Sequence, residues 1–440
     1  MLRKISLFIS AVLVLNILLT GCYDSMEIDS EVYALVLGID KGVNNKIILS
    51  IQYSTYKSSG GGSSEESGKN GEDSQSSSNK ISDTNIQTIE APSILEGIDM
   101  LGMAVSRRIS LMHTKMIVFS EEIAKEGVGN YIAPIVRYRE TRKTMHVAIV
   151  KGKAEEFINE NKTNIGDSLA KAIELLTTQS KNTGFFPEAR FTSFYRGIMS
   201  SYESAVAIHG GINNFDKLPK GNHSSTSPLI VDTGFLPDEL PRKGVTKREF
   251  VGTAVFRGDK LAGALNSNET RYYLLLLGKY KRGIITIDDR EKPGNEIAVD
   301  IRLGRHPMIK CRFENGNPVI DVNLKIESEI ESINSRINYE SIDNLDSLDS
   351  QIKDYLQSGL NKLIEKTQKE LKADIFGFGH KVAGYFPTIQ EWEQYNWPSH
   401  YPYAKVNLTV DVSIRRTGLL IYSSPFKAWE DKTEEKEGKK

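Results

Sequence analysis

The chain has 440 residues, 56 lysines and arginines against 57 aspartates and glutamates, and 39% hydrophobic residues. That length accommodates two or three domains with real cores, and the ordinary composition excludes a disordered chain, a collagen and a coiled-coil rod. A formal net charge of −1 removes the basic footprint of a nucleic-acid binder, and two cysteines cannot build a disulfide framework.

Arg3 and Lys4 form a short positive start, and Ile5 to Leu19 are apolar except for Ser6, Ser10 and Asn16. The run is short for a membrane span, which needs about 20 apolar residues, and has the length of a secretory h-region. It ends in Leu18-Leu19-Thr20-Gly21-Cys22, which is similar to the bacterial lipobox. There a cysteine thiol carries the lipid as a thioether, and a peptidase that needs small neighbouring side chains cuts just before it. The expectation is a signal peptide over 1–21 and lipidation of Cys22; the alternative is an uncleaved N-terminal helix containing a cysteine. Cys311 then has no intrachain partner and reads as a small buried hydrophobe in a strand.

In the mature chain, 33–40 and 47–53 read as a β-hairpin turning at Gly42, Asn44 and Asn45. Residues 57–82 are Ser, Gly, Glu, Asp and Asn with almost nothing apolar, a flexible insertion with no core to join. Residues 93–109 return to helical spacing, with a capping box predicted from Ser93 and Glu96. Strands are predicted at 115–120 and 144–150, and helices at 121–126, 154–159, 168–178 and 191–200. A strand at 205–209 enters a long loop from 210 to about 247. Strands at 252–256 and 260–263 precede a helix at 268–277, capped by Asn268 and closed by Gly278. Four strands follow, at 284–287, 296–303, 308–313 and 319–326. A helix from Ser347 carries the stripe Leu348, Ile352, Leu356, Leu360, Leu363 and Leu371, and stops near Asp374. Strict alternation over 406–414 marks a half-buried strand.

The sequence has no P-loop, no dinucleotide Gly-x-Gly-x-x-Gly and no Gly-x-Ser-x-Gly elbow, and its seven histidines never make His-Glu-x-x-His. The reading is a non-enzyme with no catalytic residue, metal ligand or cofactor assigned, although a dyad assembled from distant residues has no sequence signature. The aromatic cluster Tyr385, Phe386, Trp392, Tyr395, Trp397, Tyr401 and Tyr403 is the densest in the chain. It reads as a lid packed over the last helix and strand; the alternative is a stacking platform for sugars or a protein-binding patch.

Three stretches carry a resemblance. Cys22-Tyr-Asp-Ser-Met-Glu-Ile-Asp29 with the strand ending in Leu37-Gly-Ile-Asp40 resembles the start of the Ger(x)C family, the lipoprotein C subunits of spore germinant receptors. Gly252-Thr-Ala-Val-Phe-Arg-Gly-Asp-Lys-Leu261 with Glu269-Thr-Arg271 resembles that family's middle block. Asp374-Ile-Phe-Gly-Phe-Gly379, a Trp-containing segment and a strand ending in Arg416-Thr-Gly418 resemble its C-terminal block. The chain departs from the pattern at Tyr23, where the family often has Trp, at Met26, where it often has Arg, and in the added loop 57–82.

The expected fold class is mixed α/β (α+β), in three dissimilar domains that each pack helices on a mainly antiparallel or mixed sheet. The expected division is the signal peptide, an N-terminal α/β domain over 22–200 with the insertion 57–82, a middle domain over 201–278, a C-terminal α/β domain over 279–425 and a charged tail over 426–440. The resemblance implies a non-enzymatic lipoprotein subunit of a nutrient germinant receptor, held on the outer face of the spore inner membrane through acylated Cys22. It implies the membrane A and B subunits as partners, with this chain scaffolding or coupling them. The alternatives are a solute-binding lipoprotein delivering a small ligand to a permease, which needs two similar lobes around a cleft, and a wall-binding protein, which needs its aromatic rings coplanar and exposed.

Overall fold

The computed structural model describes residues 3–10, 30–55, 84–162, 168–216, 234–420 and 422–423. The first nine strands are β1 (Glu31–Lys41), β2 (Ile47–Ser54), β3 (Thr84–Ala91), β4 (Arg108–Ser110), β5 (Met116–Ser120), β6 (His146–Val150), β7 (Val206–Ile212), β8 (Arg248–Arg257) and β9 (Lys260–Leu265). They form one sheet in the order β3-β2-β1-β5-β6-β7-β8-β9, with β4 beside the start of β1. The central strands β1, β5, β6 and β7 are parallel, and antiparallel pairs flank them on either side.

Parallel strands need crossovers, and crossover helices cover both faces of the sheet. That is why β5 and β6 are buried at every position. One face receives α1 (Ile94–Val105), α2 (Glu121–Glu126), α3 (Gly129–Arg137) and α6 (Phe191–Met199), whose Ile98, Ile123, Ile132 and Phe194 pack with Ile117 and Phe119 of β5. The other face receives α4 (Ala154–Asn159) and α5 (Leu169–Thr183), whose Phe157 and Ile173 pack with Met116 and Val118.

The second sheet contains β10 (Gly283–Asp288), β11 (Glu296–Leu303), β12 (Met308–Glu314), β13 (Asn317–Ile333) and β14 (Lys405–Arg416). β13 organises it. β12 and β11 pair antiparallel with its earlier and later parts, and β14 runs parallel to it over Val319–Glu329. Ile320, Val322, Leu324 and Ile326 alternate inward, because this sheet has one covered face. The cover is α8 (Ile342–Lys369), which buries Leu348, Ile352, Leu356, Leu360 and Leu363. Between the sheets lies α7 (Ser267–Leu276), whose Tyr273–Leu276 join the second core together with Val255 and Leu265 of the first sheet.

The mixed α/β class is as expected, and most elements fall within a few residues of the sequence reading. The differences have local causes. Helix α1 stops at Val105 because Ser106 takes a left-handed conformation, and 108–110 leaves the expected helix to become β4. The N-cap of α7 is Asn266, not Asn268: its side chain accepts from the Glu269 backbone, and Glu269 reaches back to the Asn266 backbone. Helix α8 begins at Ile342, ahead of Ser347: its first turn contributes no buried apolar side chain and Ile342 is 83% exposed, so the apolar stripe that marks the helix in the sequence starts only at Leu348. Leu371 lies beyond the helix end yet packs into the same core. The strand β3 and helix α3 carried no clear period. Among the described residues, the expected middle domain 201–278 has no sheet of its own: β7 hydrogen-bonds to β6, and α7 packs into the second core. Cys22, the insertion 57–82 and the tail 426–440 lie outside the described residues.

Two predictions follow from this packing. Leu356→Ala removes a fully buried side chain and should cost about 2–5 kcal/mol in denaturant unfolding. Lys362→Ala, on the exposed side of the same helix, should stay within about 0.5 kcal/mol of wild type. Equal losses would contradict the helix register. The insertion 57–82 departs after Ser54 and returns before Thr84, and these two residues are paired across β2 and β3. Replacing it by a short Gly-Ser turn should leave the melting temperature nearly unchanged, since the strand ends already meet and closure entropy varies slowly with loop length. A drop of many degrees would show that the segment packs.

Candidate functional site: the joint between the two sheets

The residues of the middle and C-terminal blocks converge on the joint. In the middle block, Gly252 has φ +89 and donates its N–H to the Phe185 carbonyl at 2.7 Å; any Cβ there would lie 2.3 Å from the Leu265 carbonyl oxygen. Thr253 meets Thr270 at 2.9 Å between hydroxyls. Asp259, in the turn between β8 and β9, accepts the Val128 N–H at its carbonyl (2.9 Å) and the Gly129 N–H at its carboxylate (3.3 Å), which docks the hairpin on the start of α3.

Glu269, Thr270 and Arg271 each tie α7 to a different element. Glu269 accepts Lys366 Nζ from α8 at 2.8 Å, and the same ammonium donates to the Ala264 carbonyl at 3.1 Å. Arg271 is buried, donates Nε to the Thr183 carbonyl (2.9 Å) at the end of α5, and donates to the Ile284 carbonyl (3.0 Å) in β10. Its guanidinium lies 4.1 Å from the Phe185 ring centroid. A planar multi-donor cation can join three backbone segments in this way, and a lysine cannot.

The C-terminal block forms a second tie. The Asp374 carboxylate is 4% exposed and accepts from Phe376 N–H (3.1 Å), Gly379 N–H (2.8 Å) and Trp397 Nε1–H (2.9 Å). Its own carbonyl accepts the Ser204 N–H at 2.7 Å, reaching the segment that leads into β7. Beside it, Tyr202 is stacked between His380 and Trp392, each 5.0 Å away with interplanar angles of 3° and 12°. Trp392 Nε1 donates to Ser201 Oγ at 2.9 Å. Gly379 must be glycine, because a Cβ would sit 2.3 Å from the Tyr202 carbonyl oxygen.

The aromatic cluster therefore acts mainly as a packed lid. Trp392, Trp397 and Tyr401 are buried and Phe386 and Tyr395 pack on the same core, while Tyr385 and Tyr403 remain exposed. Cys311 lies in β12, half-buried, with its thiol pushed up by burial. Among the described residues no three His, Cys, Asp or Glu side chains converge as a metal site. Arg271 stood in the middle-block resemblance and Lys366 in no motif, and the sequence showed the tie of neither, since a buried cation and an exposed one look alike in a helix. The Asn266–Glu269 spacing was a usable signal.

Burial pushes the Asp374 carboxyl up to about 6, against the hydrogen bonds from Gly379 and Trp397 that favour the charged form. The folded chain therefore holds this proton up to about pH 6, and the unfolded chain only to about pH 4. Stability from this group is fully present below about pH 4 and is lost as pH rises through 6, a span worth about 3 kcal/mol. Unfolding free energies of wild type and Asp374→Asn should diverge by up to that amount in favour of wild type as pH falls from 7 to 4. A pH-independent difference would show that the carboxyl titrates normally.

Comparison with known proteins bears on this geometry. Residues 24–209 match the model of the spore germination protein N-terminal domain, and 251–418 match that of the spore germination B3/GerAC-like C-terminal domain. Spore germination protein KC of Bacillus subtilis is 24% identical over 420 residues, covering 92% of this chain and 93% of the relative. Spore germination protein YndF of the same organism is 24% identical over 436 residues, covering 92% and 95%. The crystal structure of the GerBC protein superposes with a TM-score of 0.51 at 14% identity, covering 86% of this chain and 96% of that one. With both halves matched in order and the fold shared, the chain belongs to the Ger(x)C family of spore germination proteins.

Proposed function

We propose that the protein is a lipid-anchored, non-enzymatic subunit of a nutrient germinant receptor, and that its body scaffolds or couples the receptor's membrane A and B subunits. The observation that carries this reading is the use made of the family's blocks: Glu269, Arg271 and Asp374 lock two sheets together, and Asp259 pins the β8–β9 hairpin to α3. A chain whose shared residues maintain shape is suited to holding partners in register. Family membership supplies the spore germination context. The solute-binding alternative calls for two similar lobes, whereas here a nine-stranded sheet covered on both faces adjoins a five-stranded sheet covered by α8.

Cys22 is the proposed anchor. Only eight residues separate it from Glu31, the first residue of β1, so an acylated Cys22 would keep the body within about 30 Å of the bilayer. Two acyl chains hold a protein stably where one holds marginally, and tethering raises its effective concentration near membrane partners. No helix among the described residues is long and apolar enough to cross a membrane.

Deleting the protein should abolish the response of spores to a nutrient germinant and leave germination by a receptor-independent route intact. A fatty-acid probe should label wild type and not Cys22→Ala. Retention of every nutrient response in a strain with no other C-type subunit would overturn the receptor reading, and labelling of Cys22→Ala would overturn the anchor.

A further inference from the structure

A second site lies away from the joint, at the start of the parallel strands. A cavity of about 340 Å³ opens between the segment entering β5, the segment entering β6, the side of α5 and the residue preceding α6. Its lining includes the buried Thr114, Met145, His146 and Ile173. Around them stand Lys115, Arg142 and Arg190, with the hydroxyls of Thr144 and Thr177. Glu174 is the one acidic side chain among the described lining residues.

The charge balance here departs from that of the near-neutral chain. Glu174 is shared by Lys115 at 2.5 Å and Lys171 at 3.9 Å, and Arg142 also acts on it. Glu188 is shared by Arg190 at 2.6 Å and Lys181 at 3.7 Å. Five cations thus converge on two carboxylates. Among the described residues Arg142 has no carboxylate within ion-pair distance. His146 is nine-tenths buried, its Nδ1 has no hydrogen-bond partner, and burial pushes its pKa down. Positive charge in excess, hydroxyl donors and an unpartnered imidazole nitrogen around a small cavity form an incomplete polar set, which an anion would complete.

We infer that this cavity binds a phosphate group, carried by a small soluble molecule or by a phospholipid headgroup. Arg142 supplies a planar guanidinium that matches phosphate oxygens, Arg190 adds positive charge while its Nε and Nη2 stay on Glu188, and the volume leaves room for a glycerol-sized substituent. The site lies at the end of the sheet where β1 begins: the Lys115 N–H bonds the Leu35 carbonyl and the His146 N–H bonds the Lys115 carbonyl, each at 2.8 Å. The headgroup source rests on the anchor reading, since a chain tethered at Cys22 enters the fold at this end.

Calorimetry on the mature full chain in neutral detergent, titrated with sn-glycerol 3-phosphate and with inorganic phosphate, tests the soluble source. Flotation of the mature Cys22→Ala chain with phosphatidylcholine vesicles, with and without phosphatidylglycerol, tests the headgroup. The expected result in at least one arm is saturable binding, weakened at least tenfold by Arg142→Ala and by Thr177→Val. Thr177→Val changes no charge, so a diffuse electrostatic attraction would not register it. Lys362→Ala, an equal charge loss on α8, should leave binding unchanged. Response in the first arm alone assigns a soluble phosphate, and response in the second assigns the headgroup. No saturable binding in either arm, or binding that Arg142→Ala and Thr177→Val leave intact, would overturn the proposal.

Discussion

The architecture depends on one buried carboxylate. Asp374 gathers three donors from its own loop and the aromatic lid, while its carbonyl holds the strand that leads into β7. A buried charge without such donors would cost several kcal/mol, so loop and lid have to be in place together, and the Ser204 backbone bond holds them to the segment entering β7. This couples the second core to the first at the entry to β7, an interior strand of the larger sheet. Tyr202 then fits between His380 and Trp392 because Ser201 and Ser204 are pinned on either side of it.

A second tie runs through α7. Its capping box uses Glu269 to close the helix start, and the same carboxylate receives Lys366 from the far part of α8. Two residues on, Arg271 reaches α5 and β10 together. One turn of helix therefore links the β9 connection, the long helix of the second sheet and a crossover helix of the first. Replacing the buried Arg271 would remove the donor of two part-buried carbonyl groups, a heavier loss than a surface arginine would show.

Local order was legible in the sequence, and long-range order was not. The β1–β2 hairpin announced itself through Gly42 and the asparagines, and α8 through its leucine spacing, because both signals lie within one element. The runs at 115–120 and 144–150 gave strands without partners, since a strand's own residues do not record which strand it hydrogen-bonds to. For the same reason β7 to β9 read as part of a separate domain, although their hydrogen bonds continue the first sheet. At the joint, the Asp374–Gly379 block stood out as a motif, but its role did not: Trp397 and Ser204 reach Asp374 only in the folded chain. The basic cavity is similar, with cations from positions 115, 142 and 190 that share no spacing.

The two ties together bear on how such a body transmits a signal. A hinge requires an interface that few contacts cross, so that rotation costs little. Here polar bonds cross at Ser204 and, through Arg271, at Thr183 and Ile284, and apolar residues Val255 and Leu265 of the first sheet belong to the second core. Rotation of one sheet against the other would break each of these bonds at about 1–3 kcal/mol apiece where the freed group stays buried, and would open the shared core as well. Two ties through different elements also remove the single pivot that a hinge needs. The sheets therefore move as one body, and a displacement imposed on one side of the joint reaches the other as rotation or translation of the whole.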